Sequence, residues 1–467
     1  MTSLAPPPQL PRTLGELRES GYAHRTVKDE IRDNLLDRLR TGADPFPGIV
    51  GFDETVRPEL ERALLAGHDV VLLGERGQGK TRLIRTLTGL LDEWSPVVAG
   101  CEIHDDPTAP ACSACIAQHA DMGDALPVSW RHRSERYGEK LATPDTSVGD
   151  LVGDVDPIKV AEGRTLGDPE TVHYGLVPRT NRGVFAINEL PDLAERIQVA
   201  LLNVLEERDI QVRGYQLRLP LDLLLVASAN PEDYTNRGRI ITPLKDRFGA
   251  EIRTHYPLDL RDEEALLRQE AELVAEVPAH LLEVVARFTR LVRESAAVDE
   301  RSGVSARFAV AGAETIAASA LRRSAISGEA PAVARVSDLA GIVPTLRGKV
   351  EFEPSEEGRE MEILAHLLRQ ATADTFRAHL AGQDLEPIVA RFDEGDTIES
   401  GDLVMAAQLL ASFGPVEGLG RIMAALELDA EDPQHAAAAL EFALEGLYLH
   451  RRLSRSDDGE NVRYGSA

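Results

Sequence analysis

Long apolar runs, cysteine and net positive charge are all scarce in this chain, and each shortage excludes a class of protein. No apolar stretch approaches the ~20 residues that span a bilayer, so no transmembrane helix and no membrane partner are expected. The opening "MTSLAPPPQLPRTLGELRES" lacks the basic-then-apolar pattern of a signal peptide, which makes a cytoplasmic location the expectation. Cysteine occurs three times in 467 residues, at Cys101, Cys112 and Cys115. That is too few for a disulfide framework, and in a reducing compartment such crowding points to metal. Lys and Arg number 51 against 78 Asp and Glu, a formal net charge of −27. Polyanions are bound by displacing their counterions with a basic surface, so no nucleic-acid partner is expected.

A hydrophobic fraction of 43% in a chain of this length is enough for two or three domains with full cores. After a proline-rich start come one or two amphipathic helices ended by Gly42. "HDVVLLG" is a short buried strand, "GVFAINEL" a second after a turn at Asn181-Arg182-Gly183, and "DLLLVASANP" a third. "LAERIQVALLNVLEER" is a helix, and "DIQVRGYQLRLP" reads as a hairpin around Gly214-Tyr215. Strands alternating with helices predict an α/β fold with a mostly parallel sheet and its ligand site at the strands' carboxyl ends. Ser95 to about Thr146 is rich in Pro, Asp, Cys and His, and reads as an insertion held by something other than a core. From about Leu258 onward the pattern is helical and carries no catalytic constellation.

The sharpest motif is Gly74-Glu-Arg-Gly77-Gln78-Gly79-Lys80-Thr81, which matches G-x-x-x-x-G-K-[ST] between a strand and a helix. Its glycines let backbone N–H groups curl round phosphates, the lysine neutralises β/γ charge and the threonine hydroxyl ligates Mg²⁺. Hydrolysis needs a carboxylate that polarises water, and Glu189 sits at a strand end to do so. The residue before it is Asn188, whose amide oxygen accepts a hydrogen bond from a Mg²⁺-bound water but brings no charge. Asn230 stands where a neutral side chain orients the attacking water, and Arg247 and Arg307 are candidates for stabilising transition-state charge.

In order along the chain, "PGIVGFDETVRPELERALLAG", "GERGQGKTRLIR", "GVFAINELPDL", "LLLVASANPED", "LKDRFG" and "SGVSARFA" resemble the AAA+ ATPases. Within them the likeness is to the magnesium chelatase ATPase-subunit (ChlI/BchI) and MoxR-like branch, over about Phe46 to Arg323. The resemblance implies a P-loop NTPase core at 46–257, an α-helical lid at 258–347 and hexameric rings with shared active sites. Residues 1–45 then form an N-terminal helical segment, and 348–467 a C-terminal helical extension with a disordered tail. By the same resemblance Gly48 to Gly51, with Ile49 and Val50, border the adenine, and Glu189 is the Walker B glutamate. Asn230 is then sensor 1, Arg247 the arginine finger and Arg307 sensor 2. The hairpin around Gly214 resembles the branch's pre-sensor-1 insert, and "DLVGDVDPIKVAEGR" its helix-2 insert. The branch departs from this chain at Asn188, where an aspartate is usual.

"CEIHDDPTAPACSAC" pairs Cys101-x-x-His104 with Cys112-x-x-Cys115, which fits a closed tetrahedral Cys3His zinc site, with His119 a rival fourth ligand. A zinc ion would also stabilise a segment too polar to fold on a core of its own. Arg131 to Lys140, "RHRSERYGEK", reads as a solvated loop in an acidic chain.

The expected function is an ATPase that remodels a protein client, which the resemblance suggests carries a von Willebrand factor A domain. Alternatives are a magnesium chelatase ATPase subunit proper, a nucleotide-gated scaffold with weak hydrolysis, and an enhancer-dependent transcription activator. The last is disfavoured by the absence of a "GAFTGA" string and of a basic helix-turn-helix. Lys80→Ala should abolish nucleotide binding in a fluorescent-nucleotide titration, whereas Glu189→Gln should leave binding intact and stop turnover. Retained hydrolysis in Glu189→Gln would remove that residue from its role.

Overall fold

The computed structural model describes residues 5–467 apart from 156–171, 208–209, 213–214, 218, 231–238, 300–302, 402, 415–416 and 458–461. Its contacts divide the chain into two units, Met1–Tyr256 and Pro257–Ala467.

The first unit carries β1 (Val70–Leu73), β2 (Trp94–Val98), β3 (Val128–His132), β4 (Tyr137–Leu141), β5 (Gly153–Val155), β6 (Val172–Tyr174), β7 (Gly183–Asn188), β8 (Ile210–Val212), β9 (Tyr215–Leu217), β10 (Leu223–Ala229) and β11 (Ala250–Arg253). Five of these form one sheet in the order β11-β1-β10-β7-β4, with every pairing parallel. β1, β7 and β10 are buried at every position. Continuous burial is what a parallel sheet covered on both faces demands, and it explains why these strands read as unbroken apolar runs. One face packs against the helices Val27–Thr41 and Val56–Leu65, and the segment before residue 46 shares that core through Val27, Ile31 and Leu35. The other face packs against Glu195–Glu207 through Ile197, Leu201 and Val204.

Two expectations are corrected here. The stretch 95–146 is not one insertion: Tyr137–Leu141 is the edge strand of the main sheet, paired with β7 from Tyr137↔Val184 to Leu141↔Asn188. Its order Tyr-Gly-Glu-Lys-Leu, in which Gly138 alone is buried, hid it, because an edge strand shows no continuous apolar run. What remains is the shorter connection between β2 and β3, which pair antiparallel and are joined through the helix Ser113–Met122. Nor is "RHRSERYGEK" a solvated loop. Arg136 is 1% exposed and its guanidinium donates to both oxygens of buried Glu30, at 2.7 Å each, and through Nε to the carbonyl of Arg182. The hairpin strands β8 and β9 pair as expected, while its turn at Gly214 lies outside the described residues, as does most of the predicted helix-2 insert beyond Val155.

The second unit is helical around a single core to which both 258–347 and 348–467 contribute. Pro433–Leu449 is buried nearly all round, and its alanines and Gly446 let neighbours approach closely: a Cβ at Gly446 would collide with the Phe376 ring. The predicted disordered tail is instead ordered where described. β12 (Ile398–Ser400), β13 (Leu453–Asp457) and β14 (Val462–Ser466) form an antiparallel sheet in the order β12-β14-β13. Glu445 on the buried helix supplies the reason. A buried carboxylate needs partners, and the tail brings Tyr464 Oη at 2.6 Å and Arg455 Nη1 at 2.7 Å. Among the described residues no helix is long and apolar enough to cross a membrane.

Glu30→Ala would strand the Arg136 guanidinium without a counter-charge. The expected loss is about 3–5 kcal/mol, read as a lower urea midpoint for the first unit. An unchanged midpoint would show the pair to be dispensable.

Candidate functional site

The parallel sheet brings the carboxyl ends of β1, β7 and β10 side by side, and the candidate residues cluster there. β1 ends at Leu73, and the turn to the helix Lys80–Thr86 passes through Gly77 and Gly79, both at φ +78°. Only glycine adopts that conformation without strain, which is the local reason for the spacing. Gly74 is required differently: a Cβ there would collide with the side chains of Thr254 and Gln78. Those two are themselves joined, Thr254 Oγ1 donating to Gln78 Oε1 at 2.7 Å, and Tyr256 Oη donates to the Arg76 carbonyl at 2.8 Å. The end of β11 therefore braces the loop from behind. Lys80 Nζ donates to the carbonyls of Gly74 and Glu75, the latter at 2.6 Å, which holds the ammonium over the loop's mouth. This narrow cradle of glycine backbone with one lysine and one threonine fits a nucleotide's phosphates.

Beside it, Thr81 Oγ1 lies 3.5 Å from Asn188 Oδ1, which also accepts from Ser228 Oγ at 3.2 Å. The Asn188 amide donates from Nδ2 to Glu139 Oε1 at 2.6 Å. Glu139, on β4, is a residue that sequence reasoning missed. Burial raises its pKa, but Arg85, Tyr137 and Asn188 hydrogen bonds outweigh this and hold the carboxyl below its ordinary range, so it is ionised. Arg85 grips it with Nε at 2.9 Å and Nη2 at 3.1 Å. The missing signal was the strand itself: once Tyr137–Leu141 is read as a neighbour of β7, Glu139 is the one acid that strand places beside it.

Glu189 follows β7 with φ +57°, a left-handed conformation uncommon for a residue with a side chain, and its N–H faces Ser228 Oγ at 3.3 Å. Such backbone settings cluster at functional sites. Asn230 is 6% exposed just beyond β10, whose Ala229 carbonyl accepts from Gly74 N at 3.1 Å. Ile49 is buried in the core beneath a turn whose flanking Gly48 and Gly51 have φ +77° and +78°, and Val50 is half-buried. Arg247 ends the helix Thr242–Arg247, exposed and paired with Glu206 at 2.8 Å. It is not gathered into the loop cluster. Arg307 belongs to the second unit, exposed in the first turn of Ala306–Ser327.

The cysteines converge, but not with the predicted fourth partner. Cys101, Cys112 and Cys115 each offer a sulfur that lies within 4.8 Å of the others and of a carboxylate oxygen of Asp105. His104 is displaced from this group because its own backbone is left-handed, φ +57°, so the turn presents the next side chain to the sulfurs. The His104 imidazole is half-buried, and burial together with Arg131, Arg182 and Arg179 pushes its pKa down to about 4.

Comparison with known proteins agrees with the fold. Residues 164–247 match the family described as "Sigma-54 interaction domain". The chain is 30% identical over 220 residues to magnesium-chelatase subunit ChlI of Nostoc sp., covering 45% of this chain and 54% of that protein. It is 29% identical over 241 residues to the magnesium-chelatase 38 kDa subunit of Cereibacter sphaeroides, covering 49% and 64%. It thus spans between about half and two thirds of the length of these curated relatives. A solved complex of the magnesium chelatase subunits BchI and BchD is 22% identical, with a TM-score of 0.37, over 68% of this chain and 98% of that one. NtrX of Brucella abortus with ADP is 12% identical, TM-score 0.42, over 77% and 71%. Phosphate loop, parallel sheet and sequence relatives make the chain similar, over about half its length, to the magnesium-chelatase ATPase subunits.

Proposed function

We propose that this chain is the ATP-hydrolysing subunit of a chelatase-type assembly, using Mg²⁺·ATP to drive conformational work on a partner protein. The observation that carries this reading is the convergence of Lys80 and Thr81, Asn188 and Glu189, and Asn230 at the carboxyl ends of three adjacent parallel strands. ATP supplies a γ-phosphate whose transfer to water releases the free energy for that work. Lys80 neutralises the phosphate charge, Thr81 offers its hydroxyl to Mg²⁺, and Glu189 takes a proton from the attacking water that Asn230 orients. Ile49 and Val50 flank the base. Arg247, exposed on its helix end, serves a neighbouring subunit's ATP in a ring, and Arg307 keeps the sensor-2 role that the resemblance implies.

The neutral Asn188 is compensated in this reading. Its oxygen turns toward Thr81, and the charge that an aspartate would bring is held one hydrogen bond away on Glu139. A carboxylate at that remove still attracts a divalent cation, because the Coulomb term falls only inversely with distance, although its pairing with Arg85 offsets part of the charge. The magnesium-chelatase relatives support chelatase-type work over other AAA+ tasks; a client with a von Willebrand factor A domain is a proposal of the resemblance. The sigma-54 match favours an activator as second reading, and a salt-sensitive DNA shift at physiological ionic strength would support it. The absence of a "GAFTGA" string and the net charge of −27 count against it.

Two experiments test the proposal. ATPase rate per subunit is expected to rise with protein concentration and to be poisoned by a one-to-one mixture with Arg247→Ala; a flat, unpoisoned rate would remove the ring. Glu139→Gln is expected to raise the Mg²⁺ concentration needed for half-maximal fluorescent-nucleotide binding about tenfold, on the order of 1.4 kcal/mol, and adding Asn188→Asp should restore it. An unchanged Mg²⁺ midpoint would reduce Glu139 to a partner of Arg85.

A further inference from the structure

We propose that Cys101, Asp105, Cys112 and Cys115 form a structural zinc site that locks the β2–β3 connection and the N-terminal segment onto the first unit. The donor set decides the metal class. Three sulfurs with one carboxylate suit a borderline-soft, four-coordinate ion, and the set contains too little oxygen for Mg²⁺ or Ca²⁺. The geometry agrees. A tetrahedron with Zn–S bonds of about 2.3 Å has edges of about 3.8 Å, so donor atoms already within 4.8 Å of one another need only a small contraction.

Three further features point to a cation among these groups. Backbone N–H groups are aimed at two of the sulfurs, Asp105 N at Cys101 Sγ (3.5 Å) and Cys115 N at Cys112 Sγ (3.3 Å), and so fix their positions. Asp105 is 1% exposed, and its Oδ2 accepts from the N–H groups of Ala111 (3.0 Å) and Cys112 (2.8 Å). Those bonds fix the carboxylate plane and leave Oδ1 for a ligand. All three cysteines are free, so no disulfide explains their convergence. A cleft of about 280 Å³, lined by the three cysteines with Gln118, Val172 and Tyr174, leaves a route by which the ion reaches them.

The site's consequence follows from what the adjacent residues hold. Asp106, next to the ligand Asp105, collects Tyr22 Oη (2.6 Å), His24 Nδ1 (3.0 Å) and Arg182 Nη2 (3.0 Å). Arg182 immediately precedes β7, the strand that ends in Asn188 and leads into Glu189. Cys115 packs with Leu14, Val98 and Leu126, and the backbone of Arg12 and Leu14 bonds to Val128 and Leu126 at 2.9 and 3.0 Å. Removing the ion would therefore loosen the N-terminal segment and the root of β7 together. The inference concerns this knuckle alone and stands whether or not the chain hydrolyses ATP.

The test begins with the full chain purified without chelators. Elemental analysis should return about one zinc per chain, and Co²⁺ in its place should give the sulfur-to-cobalt charge-transfer absorption of a thiolate site. Chelator treatment of the wild type should speed proteolytic cleavage within residues 99–127 and near the N-terminus, with Zn²⁺ restoring protection. Cys112→Ser and Cys115→Ser should lose the metal, Asp105→Asn should weaken Co²⁺ binding at least tenfold and shift its visible bands, and His104→Ala should do neither. Less than half an equivalent of zinc, with no thiolate–cobalt absorption on reconstitution, would overturn the site. A cobalt spectrum indifferent to Asp105→Asn but altered by His104→Ala or His119→Ala would overturn the ligand assignment.

Discussion

The parallel pairing of β1, β10 and β7 is the constraint on which the rest of this molecule depends. Parallel strands present all their carboxyl ends on one edge, and each pairing fixes which residue lies beside which. Gly74 N bonds to Ala229 O, and Thr254 N bonds to Leu73 O, so the phosphate loop is tied to both neighbouring strands where it leaves the sheet. Every buried position along β7 and β10 holds that register, because a slip by one residue would move the loop, Asn188 and Asn230 out of reach of one another. The chemistry is local, but its precision comes from apolar residues two strands wide.

Electrostatics at this edge is distributed. The end of β7 carries an amide, Asn188, whose oxygen faces Thr81 and Ser228 and whose nitrogen faces Glu139. Glu139 is held ionised against burial by Arg85, which turns a single charged position into a three-residue arrangement spread over two strands and a helix. A second such division of labour occurs at the base of the same strand. Arg136 binds Glu30 and the Arg182 carbonyl, while the Arg182 side chain binds Asp106, so the buried charges at the root of β7 connect the N-terminal helices to the cysteine knuckle.

The features that were legible in the amino-acid order share one property: their physics is local. The phosphate loop declares itself because glycines at fixed spacing are needed for φ near +78° at Gly77 and Gly79. The central strands declare themselves because burial on both faces leaves no polar position. The features that misled depend on what lies across space. The tail around Tyr464 reads as polar and disordered until its partner Glu445 is seen on a buried helix. Arg136 reads as a solvated charge until Glu30, more than a hundred residues earlier, is placed against it.

The cysteine segment divides the two kinds of knowledge sharply. Spacing alone determined that three sulfurs would meet, and the glycine-rich loop was fixed by glycine conformations that no distant contact is needed to impose. Which residue joins the sulfurs was decided by a left-handed turn at His104 that carries Asp105 inward, and which acid stands behind Asn188 was decided by the pairing of β4 with β7. The first outcome depends on side-chain direction set by one backbone angle and the second on the pairing of distant segments, and residue order by itself displays neither.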